Sequence, residues 1–158
     1  MSAAISPLAR EVRARVAETL NARLADGLDL HSQIKVAHWN LKGPNFLALH
    51  ALFETLASNL SIHVDRLAER AVTLGFAANG TIRQVAARSA IEEYPEDTTR
   101  DLEHVALLAE RFETWLTGLR ASRLVAEELG DTETADLLTP VITEFEKHAW
   151  FLKATLGQ

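Results

Sequence analysis

The chain is 158 residues long, 47% hydrophobic and 24% charged, with no cysteine and a formal net charge of −6. A single domain spanning 1–158 with a sizeable core is the size expectation, and the composition excludes thiol catalysis, thiolate metal sites and disulfides. The acidic balance disfavours non-specific contact with DNA or an anionic membrane; no apolar run reaches a membrane span, and "MSAAISPLAREVR" lacks the apolar stretch of a secretory signal, so a cytoplasmic protein is expected.

The elements read as helices, with almost no strand pattern. Ser6-Pro7 makes an N-cap and first-turn pair. Apolar residues then recur at helical spacing through Val12, Val16, Leu20 and Leu24, and again at Leu30, Ile34 and Leu41. Gly27 weakens the middle of this first helix, and Gly43-Pro44 ends it. Asn45 is placed to cap a second helix that runs to Leu74 before Gly75. Residues 75 to 97 carry Asn-Gly and Tyr-Pro breakers and read as a connection, with "TIRQVAARS" as a short helix inside it. A third long helix is expected from Thr98 to Leu129, stopped by Gly130, and a fourth from an Asp131 cap to Leu156. Pro140 either kinks that last helix or marks its true start with Thr139 as cap. The fold expected is all-α: a four-helix bundle with a short helix in the long connection between helices 2 and 3, which is the ferritin-like topology.

Two histidines and three acids carry the chemistry. His38 and His50 each lie six residues from Pro44, so an antiparallel hairpin turning there sets them at one height. On the second helix, with His50 at 0°, Glu54 falls at about 40°, Asp65 at about 60° and Glu69 at about 100°. All four share one stripe. Yet His50 and Asp65 are 15 residues apart, about 22 Å of rise, beyond the reach of one metal ion in one chain. The set therefore divides into His38, His50 and Glu54, then Asp65 and Glu69. Two copies of the helix laid antiparallel about a dyad between Asn59 and Leu60 pair His50 with Glu69 and Glu54 with Asp65. Ala57, Ser58 and Ser61 are small enough to allow that approach. Imidazole and carboxylate donors suit Fe(II), Mn(II) or Zn(II). For an isolated His/Glu pair at this spacing, the alternative is a solvated helix face. No histidine has a glutamate three positions before it, which argues against a di-iron centre inside one bundle.

At "AHWNLKGPNFLALH", followed by "HVDRLAERAVTLG", "DTETADLL" and "FEKHAWFL", the chain resembles Dps, the mini-ferritins or DNA-binding proteins from starved cells. The resemblance implies a hollow dodecamer built from two-fold dimers. It implies a ferroxidase that binds two Fe(II) ions per inter-subunit site, with Zn or Mn able to substitute. Such an enzyme oxidises iron with hydrogen peroxide or O2 and stores ferric mineral, protecting a bacterial cell from oxidative damage. By that likeness His38, His50 and Glu54 are metal ligands, Asp65 and Glu69 come from the partner chain, and Trp39 quenches radicals or packs at the interface. Glu54 stands where the family usually has aspartate. Asp131 and Asp136 match acids of the family's three-fold pores; their alternatives are a helix cap and a first-turn dipole partner.

His31, His63, His104 and His148 read as packing or surface residues, and Trp115 and Trp150 as core or interface. Members that bind DNA use lysine-rich tails. Here the first 25 residues hold no lysine, and the segment before Pro7 has no charge beyond its terminus. DNA binding is expected to be weak or absent, and the rival reading is a nucleoid-compacting protein with little ferroxidase activity.

Overall fold

The computed structural model describes residues 5–158, so the expectation for the uncharged N-terminal segment falls, at residues 1–4, outside the described residues. Five helices follow in order: α1 Arg10–Asn40, α2 Phe46–Thr73, α3 Ile82–Arg88, α4 Asp101–Glu128 and α5 Thr132–Thr155. Among the described residues there is no strand, only one isolated parallel bridge between Lys42 and Arg100, and no helix is long and apolar enough to cross a membrane. α1 packs mainly on α2, α4 on α5, and α1 joins the two hairpins through α4. The fold is the all-α, ferritin-like bundle that the helical periodicity indicated.

One core runs the length of the bundle. Phe53, Phe112, Trp115 and Phe145 are fully buried at its centre, among Leu20, Leu30, Ile34, Leu56, Leu60 and Leu67. Side chains of this size are each worth roughly 1.5–3 kcal/mol when taken out of water. Gly27 leaves α1 unbroken. A Cβ there would stand 2.7 Å from Val64 Cγ2 and 3.0 Å from the Trp115 ring, so its absence lets α1 approach α2 and α4 closely.

Two expected helix starts differ. α1 begins at Arg10 with Ala9 at the cap and no side-chain cap bond; Ser6 Oγ instead accepts the Leu8 N–H at 3.4 Å, a local turn before the helix. α4 begins at Asp101 rather than Thr98. Its preceding residues pair with the α1–α2 turn: Lys42 N–H donates to Thr99 O at 2.7 Å, and Asp101 N–H to Lys42 O at 2.9 Å. Asn45 occupies the N-cap of α2, but its side chain makes no cap bond. Pro140 lies inside an uninterrupted α5, which settles the choice left open by the sequence. Asp131 caps that helix by accepting the Thr134 N–H at 3.0 Å.

The α1–α2 turn is latched from α4. Asp101 Oδ2 accepts the Asn45 N–H at 2.8 Å, and Gly43 has φ +146° with the Asp101 carboxylate where a Cβ would be. The Asn45 N–H holds the Asp101 carboxyl below the usual aspartate range, against the opposing push of burial.

Two outcomes are expected. Gly27→Ala gains helix propensity of about 1 kcal/mol but overpacks against a stiff valine and a locked indole, for a net loss of about 1–2 kcal/mol in denaturant melts. Asp101→Asn lowers the thermal midpoint at neutral pH. Because the folded-state pKa is depressed, the wild-type advantage is full above the ordinary aspartate pKa of about 4 and fades as pH falls through the lower folded value. Melts compared across that range check the sign.

Candidate metal centre

His38 lies in the last turn of α1 and His50 in the first turns of α2. Helix C-termini leave their final carbonyls without intrahelical donors. The N–H that would reach the His38 carbonyl belongs to Lys42, which donates instead to Thr99 O. His50 fills the gap: its Nδ1–H donates to His38 O at 2.9 Å. His38 Nδ1–H donates reciprocally to His50 O at 2.8 Å. A carbonyl only accepts, so both neutral rings carry their proton on Nδ1, and each Nε2 keeps a bare lone pair suited to a cation. The rings stack with centroids 3.7 Å apart and an interplanar angle of 18°, and Phe46 covers the other face of His50 at 5.0 Å.

Glu54, one turn along α2, completes this half. Its Oε2 lies 3.4 Å from His38 Nε2. The same oxygen accepts a hydrogen bond from the Lys35 ammonium, which lies 5.9 Å from the centre of the Trp39 ring. The Lys35 hydrogen bond is the main cause that holds the Glu54 carboxyl below its usual range. Trp39 is 66% exposed.

Asp65 and Glu69 are exposed on α2 far from this cluster. The structure therefore brings together His38, His50 and Glu54, and leaves Asp65 and Glu69 apart. Among the described residues, no group of three or more His, Asp or Glu side chains is gathered closely enough to hold a metal ion. The outer stripe of α2 has its own symmetry. Leu47, Ala51, Glu54, Ser58, Ser61, Asp65, Glu69 and Val72 are all exposed. Leu47 with Val72, Glu54 with Asp65, and Ser58 with Ser61 share the midpoint between Asn59 and Leu60. Leu47 and Val72 stand 82% and 49% exposed, apolar residues in need of a cover.

Of the two acids expected at pores, Asp131 stands at the N-cap of α5. It is fully buried, and its carboxylate takes the Thr134 N–H, the Thr134 hydroxyl at 2.7 Å and the Arg70 guanidinium at 2.8 Å. Those bonds tie it to α2 and α5 of its own chain, as the helix-cap alternative expects. Asp136 is exposed in the first turns of α5. His63 and His148 are buried against Glu144, at 2.6 and 3.3 Å. His104 is buried with Nδ1 hydrogen-bonded to the Tyr94 hydroxyl at 2.6 Å. His31 is half-exposed, and burial, then the neighbouring Lys35, push its pKa down. Trp115 is core, whereas Trp150 is 62% exposed. Sequence reasoning missed Lys35 and Asp101. The signal for Lys35 was its position three and four residues before His38 and Trp39 on one helix face.

A family profile for a ferritin-like domain matches residues 17–158. The "DNA protection during starvation protein" of Agrobacterium fabrum (strain C58) is 37% identical over 147 residues, covering 93% of this chain and 91% of that protein. The structure of Mycobacterium smegmatis Dps superposes with a TM-score of 0.92 at 31% identity, covering 99% of this chain and 94% of that one. A Dps protein from Vibrio cholerae O1, described as a member of a broad superfamily of ferritin-like diiron-carboxylate proteins, superposes with a TM-score of 0.90 at 28% identity, covering 99% of each chain. The bundle, the ligand set divided along α2 and these likenesses lead to one conclusion: the chain belongs to the Dps branch of the ferritin-like family.

Proposed function

We propose that the protein is an iron-oxidising, iron-storing mini-ferritin whose oxidation sites form between two copies of the chain. The observation that carries the reading is the symmetric exposed stripe of α2, with an incomplete ligand cluster at each end. A second copy laid antiparallel on that stripe covers Leu47 with Val72 and brings its Asp65 and Glu69 to the first copy's His38, His50 and Glu54. Each dimer then has two equivalent sites, and dimers assemble further into a dodecameric shell around the stored mineral.

Fe(II) is the substrate. The Nε2 atoms of His38 and His50 and the carboxylate of Glu54 are borderline-to-hard donors that suit it, and the second copy's acids add the negative charge that favours Fe(III). Two ferrous ions give two electrons to one peroxide, which takes up two protons and leaves as two waters. No hydroxyl radical is released in that balance. The carbonyl bonds at Nδ1 keep both imidazoles aimed and, in the neutral rings, turn the Nε2 lone pairs to the cation. Trp39, exposed beside Lys35, is placed to reduce a stray oxidant or to pack against the second copy. Asp136 remains as the acid that can draw cations towards a pore. Zn(II) or Mn(II) can occupy the same ligands.

DNA compaction is the weaker reading for this chain, although the Agrobacterium relative is named for DNA protection. The net charge is −6. Arg13, one of the arginines near the N-terminus, is bound to the carbonyls of Leu8 and Leu74 at 2.9 and 2.6 Å. A gel shift at moderate salt and neutral pH is expected to show no tight complex.

Subunit mixing tests the shared site. His50→Ala and Glu69→Ala homo-oligomers are each expected to lose nearly all peroxide-driven Fe(II) oxidation. Random exchange makes about half of the dimers mixed, and each mixed dimer has one intact site of two, so about a quarter of wild-type activity returns. Absence of recovery in verified mixed oligomers would falsify the interfacial site. Sizing of the iron-loaded particle reads the shell directly: a dodecamer with an electron-dense core is expected.

A further inference from the structure

One buried pair takes no part in the ferrous chemistry above. Tyr94, near the end of the crossover, and His104, in the first turn of α4, are 6% and 0% exposed. The Tyr94 hydroxyl stands 2.6 Å from His104 Nδ1, and the rings lie nearly parallel with centroids 5.8 Å apart. Donation from phenol to imidazole leaves only the second ring N–H unmatched. The reverse leaves a phenol O–H and a ring nitrogen both bare in the core, so Tyr94 is the donor. Burial pushes the His104 imidazole below its usual range, against the pull of the Thr98 carbonyl and the Glu103 and Asp101 carboxylates. Burial likewise pushes the Tyr94 phenol well up, against the Arg111 guanidinium 5.2 Å from its ring centre. At neutral pH an intact phenol therefore faces an unprotonated base. The pair stands at the ligand end of the bundle. Asp101, one helical turn before His104, holds the α1–α2 turn through the Asn45 N–H at 2.8 Å. Arg111 continues from the Tyr94 ring to Gln33 at 2.6 Å, on α1 before His38.

We propose that Tyr94 and His104 are a one-electron, one-proton redox pair that reduces the hydroxyl radical formed when a lone ferrous ion meets peroxide. Only that source of the radical rests on the iron-oxidising reading above; the capacity of the pair does not. The radical takes one electron from Tyr94 and becomes hydroxide. Loss of the electron alone would leave a phenol cation in a core that penalises charge. The phenol proton therefore passes to His104 Nδ1 along the existing hydrogen bond, leaving a neutral tyrosyl radical and an imidazolium. The Thr98 carbonyl and the Glu103 and Asp101 carboxylates favour that imidazolium. A further Fe(II) returns one electron, the proton moves back from His104, and the hydroxide takes a proton from solvent. The sum converts one hydroxyl radical, one Fe(II) and one proton to water and Fe(III). The Tyr94 ring is shielded from solvent, so the electron leaves through the protein, and the Arg111–Gln33 contacts make a bonded route from its face to α1. Two ferrous ions at one site consume peroxide without a radical; the pair covers the turnover in which only one is bound.

The test uses intact oligomers and exploits the fact that the chain has a single tyrosine, so ring-deuterated tyrosine labels Tyr94 alone. Two oxidants are compared by freeze-quench electron paramagnetic resonance. One is a flash-generated ruthenium(III) polypyridine, which needs no iron; the other is peroxide with substoichiometric Fe(II). Both are expected to give a radical whose hyperfine splitting collapses with the deuterated ring and which Tyr94→Phe loses. His104→Gln accepts a hydrogen bond but not a proton, and is expected to lose most of the signal. In wild type, oxidation by ruthenium is expected to slow in heavy water. It is also expected to fall as pH drops through the lowered range of the imidazole, where His104 already holds a proton. A merely structural hydrogen bond moves neither reading, and both use wild type, so they stand whether or not the variants fold. A radical indifferent to ring deuteration, no radical with ruthenium, or an oxidation indifferent to heavy water overturns the pair. A tyrosyl signal with ruthenium but not with iron and peroxide, in samples that do oxidise Fe(II), overturns its link to iron. Samples that fail to oxidise Fe(II) at all count against the iron-oxidising reading, and the ruthenium arm then judges the pair by itself.

Discussion

An α-helix is a ruler, and in this protein one helix separates the candidate ligands. α2 runs without glycine or proline from Phe46 to Thr73, so His50 and Glu69 are held about 28 Å apart at 1.5 Å per residue. No rotamer closes that gap. Two acids are left on an exposed face with no ion-pair partner among the described residues, and an imidazole pair is left with one carboxylate. In a monomer the stripe has no purpose: it exposes Leu47 and Val72 and sets like charges along one side. The proposed pairing with a second copy uses its symmetry about Asn59 and Leu60.

The imidazole end is held by an exchange of hydrogen bonds at the hairpin. Frayed carbonyls are the usual weakness of a helix C-terminus. Here His50 satisfies one of them, and His38 bonds back to α2. Capping and the orientation of the two imidazoles are therefore the same interaction. It depends in turn on α4, whose Thr99–Asp101 segment takes the Lys42 N–H and pins the Asn45 N–H. That competition releases the His38 carbonyl for His50. It also explains why α4 starts later than its composition indicates.

The long crossover is held through its backbone by polar side chains of α1. Asn21 bonds Ala77 and Asn79, Asp26 accepts the Ala90 N–H, and Gln33 donates to Glu92 O. Arg111 on α4 joins Gln33 at 2.6 Å and Glu93 O at 2.9 Å. These residues interrupt the apolar pattern of α1 and are buried all the same. A buried polar group is tolerated when it is bonded, and here the partners are loop amides and carbonyls that would otherwise lack them. With the crossover so anchored, the two hairpins close on one core.

The sequence by itself determined the helical class, the approximate helices and the stripe that carries Glu54, Asp65 and Glu69, because period and rise are local properties of a helix. It also determined that the five candidate residues cannot meet in one chain, since that follows from counting residues. Only the tertiary structure decided what depends on contacts between distant segments. Asp131 became a buried partner of Arg70 on α2, 61 residues away in sequence. Ser6 gave up the cap of α1, and Thr98 fell outside α4 because its neighbours pair with the turn after α1. Lys35 met Glu54 across the hairpin, a pairing that exists only once α1 and α2 lie side by side. Periodicity is written along the chain; the partner of a charge or a carbonyl is fixed by which segments the core presses together.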